Sequence, residues 1–230
     1  MTRLISTMRW DMRLQWRNGF YYAAIAIVVM YLLIFSQIPK DNLTWLLPLM
    51  LIGNMIIGTF YFIGGLVLLE RGEGSLEARV ITPLRPIEYI ISKVATLSGL
   101  ALLESGLIII ISYGLDVNWL ALLAGVVEIA VFFCLVGFII VVRYDSINEY
   151  LLPSILYTML ICLPLVSYLA GWEHWLLYLH PTQATLMLLK GAWQPLLWWK
   201  TAYALIYPGL WIAWLIRLSL RAFHRFVITK

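Results

Sequence analysis

The sequence predicts an all-α integral membrane protein. It should hold six transmembrane helices, an N-terminal amphipathic helix lying along the membrane surface, and a re-entrant outer segment before the last span. Two observations lead there. Of 230 residues, 63% are apolar and only 12% are charged, with a mean hydropathy of +0.90; soluble domains average about 45–50% apolar and about 25% charged residues. A chain so poor in charge cannot cover a water-facing surface, so lipid must do so. The apolar residues also gather into six runs, each close to the ~20 residues a helix needs to cross a bilayer core. None alternates in the manner of a membrane barrel strand.

The expected spans are 19–38, 45–69, 94–113, 119–142, 150–170 and 198–216. They leave no room for a soluble domain, so residues 1–230 are expected to form one integral membrane domain. Residues 1–18 are too polar for the apolar core of a signal peptide and are expected to remain in place. At 100° per residue, Arg3, Arg9, Arg13 and Arg17 share one face, and Leu4, Ile5, Met8, Met12 and Trp16 share the opposite one. Such a helix lies in the interface with its basic side toward headgroups. It serves either as a topology anchor or as a lever touching a cytoplasmic partner.

Loops 39–44 and 114–118 are short and force antiparallel neighbours. Segment 171–197 is too polar and too broken by Pro181 and Gly191 to span, and too apolar to stand in water. It reads as one or two short helices dipping into the outer leaflet, with Trp172, Trp175, Tyr178, Trp193, Trp198 and Trp199 as an aromatic belt. Its His174 and His180 read as interfacial side chains. Cys134 and Cys162 fall inside spans and read as small buried hydrophobes. Thirteen of the sixteen basic residues fall at the two termini and in the even-numbered loops, against Lys40, Lys190 and Lys200 on the other side. Positive loops stay cytoplasmic, so both termini are expected inside. The basic excess is a topology signal, and no nucleic-acid partner is expected.

The longest inside loop, 70–93, reads ERGEGSLEARVITPLRPIEYIISK and concentrates charge in a chain that avoids it. Gly72 and Gly74 punctuate the end of the second span. Ser75 caps a short helix through Ile81, Pro83 forces a turn, and Pro86 opens a helix that runs through Lys93 into the third span. Glu70, Glu73 and Glu77 stand at helix-compatible spacing as exposed acids. The loop is more elaborate than a connector needs and suits docking against another protein.

This loop resembles that of ATP-binding-cassette (ABC) type 2 exporter permeases, with its acidic residue, its Gly-Ser-Leu-Glu step, its Thr-Pro turn and its lysine entering the third span. The six-span layout, the N-terminal helix and the outer segment match as well, and the TPLRP-x-EY wording is most similar to permeases of the bacterial fluoroquinolone-export type. The resemblance implies a half-transporter in the bacterial inner membrane, exporting a hydrophobic or amphipathic drug-like molecule. It would pair with a second permease chain, in a homo- or heterodimer, and with cytoplasmic ATP-binding ABC subunits. Glu70, Glu73, Gly74, Leu76, Glu77 and Arg79 would couple to the ATPase. Arg9, Arg13 and Arg17 would mark the interfacial helix. The sequence has no G-x-x-x-x-G-K-[ST] phosphate loop, so hydrolysis is expected in the partner, with no cofactor, metal or catalytic residue on this chain.

Inside the spans, Glu104 and Glu128 are functional candidates, because a carboxylate at bilayer depth costs about 2.5–3.5 kcal/mol on insertion scales. They read either as a polar spot for a cationic amphiphile or as a hydrogen bond between spans three and four. Asn54, flanked by Gly53 and Gly58, allows close packing or a cavity wall. Pro153, Pro164 and Pro208 can kink spans five and six. The same superfamily offers lipid, polysaccharide or haem export as alternatives, though no tryptophan-rich haem-handling motif is present. A non-transporting sensor or structural subunit is a further class. An intramembrane protease would need a histidine within a span, and all three histidines lie outside them.

Overall fold

The computed structural model describes residues 2–75, 85–172 and 174–228, and every element among them is helical. The first two helices, α1 (Thr2–Arg17) and α2 (Phe20–Phe35), meet at a 65° bend. Helix α3 (Lys40–Met55) continues through a π-helical turn (Ile56–Tyr61) into α4 (Phe62–Gly72), and the 33 residues form one long span. It is longer than the expected 45–69. Pro39 lets the helix start at Lys40, and the end is set by Gly74 at φ 67, with Glu73 N–H donating to Leu69 O at 3.0 Å and Gly74 N–H to Arg71 O at 3.0 Å. A left-handed glycine at that position satisfies the last helical carbonyls without Cβ strain.

Helix α5 (Pro86–Ser112) carries Lys93 into the span without interruption, as the sequence reading expected. Pro86 gives up no helical hydrogen bond in the first turn, and the Arg85 N–H donates to the Glu88 carboxylate at 2.9 Å. Helix α6 (Trp119–Val141) starts where the Asn118 side chain accepts from Ala121 N–H at 3.3 Å. It occupies the middle of the bundle, against the π turn and against α5. The approach is close: a Cβ on Gly137 would stand 2.8 Å from the Phe60 carbonyl oxygen, so only glycine fits there. Leu47, Ile52, Ile63, Leu66, Leu97, Ile129 and Phe138 are fully buried around this axis.

The expected single span 150–170 is instead two helices, α7 (Ile147–Ile161) and α8 (Leu163–Leu169), bent by 50° at Cys162. Pro164 lies in the first turn of α8 and has no N–H to return to α7, so the helix breaks there. A 3₁₀ turn (Trp175–Leu179) and α9 (Pro181–Lys190) follow. They correspond to the two short helices foreseen for 171–197. α9 packs into the bundle against α6 and against α10 (Trp198–Phe223), which ends in a π turn, His224–Ile228. The segment is anchored from both sides: Tyr203 and Tyr207 of α10 donate to the carbonyls of Tyr178 and Leu179, each at 2.5 Å, and Thr182 donates to Ile161 O at 3.1 Å. Four described helical runs are long and apolar enough to cross a bilayer, and six if each bent pair counts as one span. Exposed apolar side chains such as Leu152 and Leu156 on α7 and Leu210 on α10 suit lipid contact.

Candidate functional site

The sequence places eight charged residues between the second and third spans, and the structure draws the first and last of that loop into the protein. Glu70, expected among the exposed acids, is fully buried at the end of α4, and Lys93 is fully buried on α5. Lys93 Nζ lies 2.7 Å from Glu70 Oε1 and 3.2 Å from Asp11 Oδ1 of α1. The Tyr89 hydroxyl donates to Glu70 Oε2 at 2.6 Å, and Ser92 Oγ donates to Asp11 Oδ2 at 2.5 Å. The Lys93 ammonium also stands 4.8 Å above the centre of the Tyr89 ring. One helical turn further along α1, Gln15 Nε2 donates to Thr96 Oγ1 of α5 at 2.9 Å.

Removing such ions from water costs several kcal/mol each, which direct pairing offsets only when the remaining oxygens are also hydrogen-bonded. Here the hydroxyls of Ser92 and Tyr89 supply those bonds. The cluster fastens three helices at one point. Helix α1 therefore has three faces rather than the two expected. Arg9, Arg13 and Arg17 are exposed on one, Ile5, Met12 and Trp16 on the second, and Thr7, Asp11, Leu14 and Gln15 are buried on the third. The sequence reading passed over Asp11, Gln15, Ser92 and Tyr89, and placed Lys93 at the entry to the third span without its buried partners. The available signal was the four-residue spacing of Thr7, Asp11 and Gln15, a polar stripe between the basic and apolar faces.

At the edge of this junction Arg17 pairs with Glu73 at 2.5 Å, with both side chains well exposed. Such a pair contributes about 0–1 kcal/mol, but it joins α1 to the point where α4 leaves the bundle. Arg71, next to it, lies 2.9 Å from Asp145 and donates to the carbonyls of Tyr144, Val142 and Phe226, tying α4 to the turn after α6 and to the C-terminal π turn. Gly74 takes up its left-handed turn there. Leu76, Glu77 and Arg79 lie outside the described residues.

Deeper in the bundle, Asn54 Nδ2 donates to Glu104 Oε2 at 3.1 Å, both side chains being buried. Glu104 thus bonds to the second span, not to Glu128, which sits half-buried on α6 with its Oε2 unpartnered. The π turn begins two residues after Asn54, and its Gly58 brings backbone against the carboxyl: a Cβ there would stand 3.3 Å from Glu104 Oε2.

Comparison with known proteins gives a full-length match. The sequence model of the fluoroquinolones export permease protein family covers residues 2–230. Fluoroquinolones export permease proteins of Mycobacterium tuberculosis strains CDC 1551 / Oshkosh and ATCC 25618 / H37Rv are each 32% identical over 233 residues, spanning 100% of this chain and 98% of theirs.

Proposed function

The chain belongs to the fluoroquinolones export permease protein family, and from that premise we propose that it is the membrane-spanning subunit of an ATP-driven ABC exporter. It moves a hydrophobic or amphipathic drug-like molecule out through the bacterial inner membrane. A second permease chain completes the pathway, and a cytoplasmic ATP-binding subunit supplies hydrolysis. The observation that carries the reading is the buried Asp11–Lys93–Glu70 junction, lying at both roots of the loop that would dock on the ATPase.

The junction explains how such docking could act at a distance. Force applied to the segment after Glu73 reaches α4 and α5 at the points where they leave the bundle. Because Lys93 holds Asp11, α1 must follow, and the surface pair Arg17–Glu73 adds a second link. The three helices then tilt as one body between two packings, each favoured by one nucleotide state of the partner. Arg9 and Arg13 keep α1 at the headgroups during the movement, and its exposed apolar face stays in lipid.

The test is a mild-detergent pull-down of the tagged chain from its native membrane beside a Glu73→Ala, Glu77→Ala double variant. The expected result is an ATPase subunit captured by the unmodified chain, with binding weakened or drug-stimulated hydrolysis lost in the variant. If no ATPase accompanies the unmodified chain in any of several detergents, the proposal fails.

A further inference from the structure

The Asn54–Glu104 pair leaves one polar atom over on each side. Glu104 is 3% exposed and Asn54 is 0% exposed. Their one mutual bond runs from the amide N–H₂ to carboxyl Oε2 at 3.1 Å, while Glu104 Oε1 and Asn54 Oδ1 are both buried with no partner. An ionised carboxylate can only accept, so it offers nothing to an amide oxygen. A carboxylic acid offers one O–H, and an amide oxygen is the acceptor it needs. The leftover atoms are therefore one potential donor and one acceptor, provided a proton is present.

The surroundings argue the same way. A buried carboxylate requires a cation or several donors. Against α5 at this level stand the π turn with its bare Gly58 backbone and Tyr31 of α2, whose hydroxyl would lie 3.8 Å from a Cβ on Gly53. Helix α6, also packed on α5, carries Glu128 and Cys134, and neither hydrogen-bonds to Glu104. Among the described groups at this site, no lysine or arginine meets the carboxyl; the buried lysine of the span is Lys93, eleven positions earlier on α5 and engaged with Asp11 and Glu70.

We propose that Glu104 and Asn54 form a proton-binding site inside the membrane, in which a neutral Glu104 carboxylic acid pairs with the Asn54 amide and joins α5 to the second span next to the π turn. The ligand is the proton itself. Loss of that proton leaves a buried anion with a single donor and loosens the contact at the irregular turn, where the helix is least regular. The proposal concerns the chemistry of one side-chain pair and does not depend on an ATPase partner or on the identity of any cargo.

Infrared spectroscopy of the full chain in lipid nanodiscs tests it directly, because a protonated carboxyl has its own C=O band. The measurement uses a Glu128→Gln background, so that the half-buried carboxyl of α6 is silent. At neutral pH the Glu128→Gln chain should show a protonated-carboxyl band that shifts on exchange into deuterated water, and adding Glu104→Gln should remove it completely. Asn54→Val should shift the band without removing it, since the acid keeps its proton and loses its partner. Glu104→Gln preserves size and can still pair with an amide, so a failure of Asn54→Val to fold leaves the first comparison decisive. In thermal unfolding, stability should fall as pH rises above the ordinary carboxyl range, where the unfolded chain has already lost the proton that the folded state still holds; Glu104→Gln should flatten that dependence. A spectrum in which Glu104→Gln removes no protonated-carboxyl band overturns the proposal.

Discussion

Lys93 is the side chain on which the junction turns. It is buried, bonded to carboxylates from two other helices, and stacked on Tyr89. Replacing it with a similarly shaped apolar residue removes the positive charge and leaves Asp11 and Glu70 buried around the vacated position. Breaking a buried ion pair from one side is destabilising by about 3–5 kcal/mol, so Lys93→Met should lower the thermal unfolding temperature sharply in detergent. An unchanged transition would mean that the cluster is more hydrated than its burial indicates. Asp11 illustrates why such a residue escapes a reading by faces. It is one acid among four arginines on a short helix, which suits a solvated surface equally well. Only the neighbouring helix decides which of the three faces is covered.

The outer segment joins a buried helix to an exposed turn. Helix α9 buries eight of its ten residues against the bundle, whereas the 3₁₀ turn before it buries none of its side chains. Polar ties hold the turn to its neighbours: the α10 tyrosines, Thr182 to the end of α7, and His180, whose ring meets Thr182 Oγ1 at 2.8 Å and bonds to the Leu160 backbone. Burial lowers the His180 pKa below its ordinary value, opposed by the Leu160 hydrogen bond. The folded segment therefore prefers the neutral imidazole, and the unfolded one takes up protons first as pH falls. Its docking should be complete above the ordinary histidine value of about 6.5 and weaken on acidification below it. Hydrogen-exchange protection along Trp175–Leu179 and α9, taken relative to the intrinsic exchange rate at each pH, should fall in mild acid, and His180→Gln should abolish that fall. Equal protection at both pH values would remove His180 from the set of ties.

For the molecule as a unit, the charge bias carries a prediction about orientation. With thirteen basic residues against three, α1 and the C-terminus are predicted to lie inside and the Trp175 turn outside. With Cys134→Ala and Cys162→Ser as background, a cysteine introduced by Trp175→Cys should react with an impermeant thiol reagent on intact cells. Arg9→Cys and Arg225→Cys should react only after permeabilisation. The reverse pattern would invert the topology and put the proposed docking loop on the wrong side for ATP.

Composition and hydropathy suffice for a helical membrane protein, because burial in lipid leaves the backbone few alternatives. Start and stop residues read well where the chemistry is local: Pro86 opens α5, and Gly74 closes the second span. Span 150–170 was legible as apolar but not as two helices, since a proline permits a break without requiring one. The π turn left no mark in the sequence, because it answers to packing against α6, where Gly137 meets the Phe60 carbonyl. The Asn54–Glu104 contact and the Asp11–Lys93–Glu70 junction were likewise decided by folding. Each joins side chains fifty or more positions apart, or across a loop, and hydrophobic periodicity records which face is apolar but not which polar group will meet another.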